Sequence, residues 1–258
     1  MKTTETKGTM PSLARRAWPI ALLGIIGVLS LLMGPVPDAL LAKAPELAAL
    51  SPLAQKGLLL INPSVLVLLA AIIGAALAHR VGLHSVLAGT ASAAGFASTA
   101  ARAGSYGLVL GFTLAAADSV TAPLLGPAWQ ALVEGSAHGA ASTVMGMLYG
   151  GVAEEVMLRW GVMSLAAWAL TPVLRSRGRG LCLPIAITVA ALIFAAGHLP
   201  VVVSQLELTS AIVARTLLLN TLAGLLFGWL FWRHNLEAAM VAHASTHLGI
   251  AGWRLLAG

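Results

Sequence analysis

Apolar runs, each near the length of a bilayer crossing, recur along the whole chain and dictate what it can fold into. A membrane-spanning helix needs about 20 predominantly apolar residues. Such runs occupy residues 18–34, 58–78, 104–125, 140–170, 184–203, 208–232 and 236–256. In hydrocarbon every backbone N–H and C=O must find its partner within the protein, so each run is expected as a helix. Composition agrees. Hydrophobic residues make up 59% of the 258 residues and charged residues 9%, and the mean hydropathy is +0.91. A soluble domain carries about 25% charged residues, so an ordinary soluble enzyme, a disordered chain and a nucleic-acid-binding protein are all excluded. The formal charge of +6 is scattered in short loop clusters, the pattern of cytoplasmic loops in a polytopic membrane protein. A single cysteine, Cys182, excludes a disulfide scaffold and a Cys-rich metal site.

The expected fold class is therefore all-α, a polytopic membrane helical bundle of seven to eight transmembrane helices. It reads as a single integral membrane domain over 1–258, with N-terminal spans in 1–138 and the chemistry-bearing helices in 139–258. An eighth span would come from 81–101, rich in Ala, Ser, Gly and Thr, or from 160–174. Residues 126–139 read as a turn region, and Pro35, Pro37, Pro45 and Pro52 argue against one continuous helix through 35–57. Lys2, Lys7, Arg15 and Arg16 precede the first run. A secretory leader cleaved near Ala42-Lys43-Ala44 is the alternative reading there. The run is long and is followed by more membrane, which favours an uncleaved span. Together with Arg80, Arg102, Arg175, Arg177, Arg179 and Arg233, the basic leader predicts a multi-pass cell-membrane protein with a cytoplasmic N-terminus.

Ionisable residues inside the spans need a reason, because even the lenient insertion scale charges about 2.5–3.5 kcal/mol for Asp, Lys or Arg at a helix centre. The C-terminal half carries Glu154, Glu155, Arg159, His198, His243 and His247 on three apolar runs. Glu155 and Arg159 are four apart with the acid first, the better order for a helical ion pair. The plain reading is a pair that makes two buried charges tolerable. Glu154 points about 100° away on an α-helix, so Arg159 cannot serve both acids equally. Adjacent carboxylates in an apolar surround resist being ionised together, which suits a general base or acid. A Glu hydrogen-bonded to a neighbouring helix is the structural alternative. His198 alone would read as a satisfied core histidine; beside Glu154 it can orient a water. His243 and His247 have the spacing of metal ligands, but the Glu of H-E-x-x-H is missing. They can instead donate to an oxyanion. Asp118, His138 and Arg215 read as isolated packing or interface residues, Glu134 and Glu207 as loop residues, and Asn220 as interhelical glue.

Three segments in order carry a resemblance. Glu154-Glu155-Val156-Met157-Leu158-Arg159 has the form EExxxR, Phe194-Ala195-Ala196-Gly197-His198 the form FxxxH, and His243-Ala244-Ser245-Thr246-His247 begins as HxxxN/D does. The region 139–251 resembles the CPBP family of intramembrane endopeptidases, which includes the CAAX prenyl endopeptidase and bacterial relatives tied to bacteriocin handling and protein sorting. The resemblance implies a helical membrane body whose polar cavity opens to the cytoplasm. It implies a glutamate-type hydrolase, with Glu154 activating water, His198 assisting, His243 stabilising the oxyanion, and Glu155, Arg159 and Phe194 supporting them. The family's Asn or Asp is His247 here, and a neutral His donates a hydrogen bond as Asn does. No cofactor is expected; were zinc bound, its ligands would be Glu154, His198, His243 and His247.

The expected partners are the lipid bilayer and a peptide or protein substrate near the membrane, with no nucleic acid. Within the family, processing or sorting of exported or membrane-anchored peptides is favoured over prenyl-protein maturation. Buried Glu and His on several helices would also serve a proton-coupled transporter, although no inverted repeat or paired broken helices are visible. A non-catalytic membrane scaffold is the third class.

Overall fold

The computed structural model describes residues 10–135 and 139–257, and among them there is helix but no strand. Six helices are long and apolar enough to cross a membrane: α1 (Leu13–Met33), α2 (Pro52–Val81), α3 (Phe96–Leu125), α4 (Ala140–Leu174), α5 (Cys182–Val203) and α6 (Ser210–Arg233). A further long helix, α7 (Leu236–Ala257), follows. It carries Glu237, His243, His247 and Arg254, and does not count among the six. The expectation of seven to eight spans thus stands at six by length and apolarity. Residues 81–101 supply no span: α2 ends in a 3₁₀ turn, turns follow, and α3 begins at Phe96. Residues 160–174 do not cross separately but continue α4. Within 126–139, expected as a turn region, the chain forms a short helix, Pro127–Gly135, whose backbone includes Glu134. Lys2, Lys7 and His138 lie outside the described residues.

Polar caps mark several helix starts. Ser12 Oγ accepts from the Arg15 N–H at 3.4 Å, Ser51 Oγ from Ala54, also at 3.4 Å, and Thr209 Oγ1 from Ile212 at 3.2 Å. These satisfy donors that a helix's first turn leaves open. Outward faces are apolar: Leu58, Ile61, Val65, Leu69 and Ile72 of α2 are all exposed, at the i+3/i+4 spacing of a lipid-facing stripe. Inward faces are small. Gly107 and Gly111 of α3 lie against the backbone of α7 at Ala242 and Thr246, where any Cβ would collide with a carbonyl oxygen. This is small-residue packing, which brings two helix backbones together in lipid.

At the centre is α4, which touches α1, α2, α5, α6 and α7. Its middle is wound as a π-helix through Gly146–Glu154 and again through Val156–Met163. Such i→i+5 winding is rare and concentrates at functional sites. Within the second π-wound stretch Trp160 is 1% exposed, donates Nε1–H to the Ala71 carbonyl at 3.2 Å and packs on Phe231.

Because consecutive long helices run in opposite directions, the connections sort to two ends. One end holds Arg16, Arg80, Arg102, the 175–181 segment and Arg233; the other holds the 34–51 and 204–209 connections and helix Pro127–Gly135. At the basic end the buried Glu237 carboxylate accepts from Ser85 Oγ at 2.6 Å and from the N–H groups of Val86 and Leu87 at 3.0 Å each. Asn235 Oδ1 caps α7 by accepting from Ala238 at 2.9 Å. Glu237 therefore ties the α2–α3 loop to the start of α7. Hydrogen bonds to a charged group contribute about 1.5–3 kcal/mol each. Glu237→Ala is expected to lower the Tm of the detergent-solubilised protein by several degrees, and an unchanged Tm would show the tie to be dispensable.

Candidate active site

The three motif segments converge on one cavity of ≈ 320 Å³. Its polar wall includes Glu154 from α4, His198 from α5, Asn220 from α6, and His243 and His247 from α7. Phe194, Phe227 and Tyr149 supply aromatic surface. All six predicted polar site residues, and Phe194, thus lie in or directly beneath one cavity.

The two adjacent glutamates occupy different environments. Glu155 is fully buried, with Oε1 3.1 Å from Arg159 Nη1 and 2.8 Å from His243 Nδ1. Arg159 is also fully buried. Its Nη2 donates to the Gly224 carbonyl at 3.1 Å, and its guanidinium lies over the rings of Phe194 at 4.8 Å and Phe227 at 5.3 Å. The Arg159–Glu155 contact is close in distance but is not an aligned hydrogen bond, since Nη1 has no hydrogen-bond acceptor in good geometry. Its attraction is charge on charge, assisted by two aromatic faces. Gly224 makes room for this: a Cβ there would meet Ala191 and crowd Arg159 Nη2.

Glu154 faces the cavity instead. Its side chain is 19% exposed, and Oε2 lies 4.0 Å from His243 Nε2. That separation is too long for a direct hydrogen bond and is of the size a bridging water can span. His243 is held on three sides. Glu155 takes Nδ1, Phe227 stacks on one face at 4.4 Å and 15°, and His247 stacks at 5.3 Å and 15°. With Nδ1–H donated to the carboxylate, Nε2 offers a lone pair in the neutral ring and an N–H in the protonated ring. His198 is fixed similarly. Its Nδ1 faces the Phe194 carbonyl at 2.8 Å, and a carbonyl only accepts, so Nδ1 carries the proton and Nε2 is left as an acceptor.

Some site residues were invisible to sequence reasoning. A Cβ on Gly150 would sit 2.6 Å from His247 Nε2 and 3.2 Å from His243 Nε2, and one on Gly146 2.5 Å from His247 Nδ1. These glycines, four apart on α4, let the histidines of α7 lie against its backbone; their small-x-x-x-small spacing was the available signal. Phe227 gave no signal beyond being apolar. Asn220 corrects an expectation: it donates to Thr216 O one turn back at 2.8 Å and lines the cavity, rather than joining two helices. Asp118 and Arg215, read as isolated, form an ion pair between α3 and α6, with the guanidinium over Trp129 at 4.8 Å. Among the described residues no group of three or more His, Cys, Asp or Glu side chains is gathered as a metal site.

The sequence of this region matches a family model. Residues 136–249 match the model described as Type II CAAX prenyl endopeptidase Rce1-like. Over these residues, which are less than half of the chain, the protein is similar to a family of membrane-bound peptide hydrolases. No curated protein and no solved structure matches the chain.

Removing one member of a buried ion pair leaves the other charge without compensation, at a cost of about 3–5 kcal/mol. Arg159→Ala is therefore expected to lower membrane abundance and Tm sharply. A stable Arg159→Ala protein would mean that Glu155 is compensated by other groups.

Proposed function

We propose that the chain is a multi-pass intramembrane endopeptidase that cleaves a membrane-associated or exported peptide by a glutamate-activated water. The observation that carries this reading is the division of labour between neighbours: Glu155 is locked beneath the cavity by Arg159 and His243, while Glu154 lies on its wall 4.0 Å from His243 Nε2. The family match over the same helices supports a peptide hydrolase at the membrane. In the proposed reaction a water sits between Glu154 and the acceptor Nε2 of His198. Glu154 takes a proton as the water oxygen attacks the scissile carbonyl. The tetrahedral oxyanion receives hydrogen bonds from Nε2 of the protonated His243 ring, whose charge the oxyanion itself meets because Glu155 is balanced by Arg159, and from His247. The proton held by Glu154 passes to the amide nitrogen as the C–N bond breaks, which leaves a carboxylic acid and an amine. Donors fixed in a water-poor surround need no reorganisation when the charge develops. The reading needs no metal. Counting α7, whose buried face includes Leu236, Met240 and Ala242, the membrane body has seven helices.

Two mutations test the roles. Glu154→Gln keeps shape and removes the base, so cleavage of a membrane-anchored peptide by purified protein should fall by about 10²–10⁴-fold with abundance unchanged. Wild-type cleavage in that protein would overturn the mechanism. His247→Asn should retain most activity because the amide still donates, whereas His247→Ala should lose about 10²-fold or more, the usual cost of one oxyanion donor. Equal rates for His247→Ala and wild type would remove His247 from the site.

A further inference from the structure

The cavity has a direction. Its lining begins at Leu31 near the end of α1 and at Ser142 and Met145 at the start of α4, includes Ile250 in the second half of α7, and descends to Glu154, Phe227 and His243. Beneath that floor Arg159, Trp160, Met163, Leu230 and Phe231 are all at most 1% exposed and close the bundle. Thus the mouth lies at the end that holds the 34–51 and 204–209 connections, and the closed floor faces the other end.

Charge labels the two ends. The closed end has Arg15, Arg16, Arg80, Arg102, Arg175, Arg177, Arg179 and Arg233 in or beside its connections, and Lys2 and Lys7 precede it in sequence. In or beside the connections at the open end, Lys43, Lys56 and Arg254 are fewer than the bases of the closed end and are offset by Asp38, Glu46, Glu134 and Glu207. Lys and Arg near helix ends stay in the cytoplasm, and acids weigh little in that choice. A cytoplasmic N-terminus and a cavity opening to the cytoplasm, both expected from the sequence, are therefore incompatible in this fold.

We infer that the cavity opens to the extracytoplasmic side, so that its substrate is a peptide segment presented from outside the membrane, on an exported or outward-facing membrane-anchored protein. This rests on the peptidase reading for what happens to the peptide, but not for where it enters. A volume of ≈ 320 Å³ lies at the small end of ligand sites, and its mouth residues Leu31, Met145 and Ile250 are apolar. A short, extended, largely apolar stretch suits it, and a folded domain does not.

Single cysteines placed in a Cys182→Ser background read the sidedness. Ser142→Cys sits at the mouth, Ala49→Cys in the connection beside it, and Ser92→Cys in the loop at the basic end. Intact cells making each full-length variant are treated with a membrane-impermeant maleimide. Ser142→Cys and Ala49→Cys should label in intact cells, and Ser92→Cys only after permeabilisation. The reverse pattern, or a Ser142→Cys that labels only after permeabilisation, overturns the inference. Labelling does not depend on turnover. Failure of the purified protein to cleave any peptide would sink the peptidase reading while leaving this result intact. With an active preparation, an impermeant peptide should be cut by right-side-out vesicles and not by inverted ones; preferential cutting by inverted vesicles would contradict the inferred side.

Discussion

The buried contact of Glu155 with both Arg159 and His243 is the interaction on which the rest depends. Two charged side chains with no solvent exposure survive in a membrane body only because each compensates the other. The pair does more than neutralise charge. Glu155 fixes His243 through Nδ1, Arg159 joins α4 to α6 through the Gly224 carbonyl, and its guanidinium lies over the rings of Phe194 and Phe227. One ion pair thereby sets the mutual placement of α4, α5, α6 and α7. Glu154 is left as the carboxylate turned to the cavity.

Small residues make that arrangement possible. Gly146 and Gly150 bring the histidines of α7 against α4, Gly224 admits Arg159, and Gly107 and Gly111 lay α3 along α7. The π-winding of α4 belongs to the same economy of space. A wider coil changes the angular offset between consecutive side chains, and here it leaves Glu154 and Glu155 on distinct sides of the helix while Arg159 remains within reach of Glu155.

Much of this was legible in the sequence. Runs of about 20 apolar residues located the helices, and ionisable residues inside those runs pointed to the cavity-lining set, because nothing else justifies their cost. The Glu155–Arg159 spacing led directly to the observed pair. Other features depended on information that periodicity does not hold. Nothing in Glu154-Glu155 says which acid will meet His243 Nδ1, since that follows from how α7 packs on α4. The Asp118–Arg215 pair joins residues 97 positions apart. Glu237 has no partner within its own run by spacing, yet it gathers three donors from the α2–α3 loop. The direction of the cavity could not be read from motifs at all, because it is set by the depth at which four helices cross.

The most direct test of the central claim separates the stabilising role of the pair from its role in holding His243. A buried ion pair can often be replaced by apolar residues of similar volume at little cost, although breaking it by removing one partner is expensive. In Glu155→Leu/Arg159→Met, both charges go together. The account predicts that Tm returns toward the wild-type value while peptide cleavage stays lost, because His243 Nδ1 no longer has its carboxylate. A double variant that cleaves at the wild-type rate would contradict it.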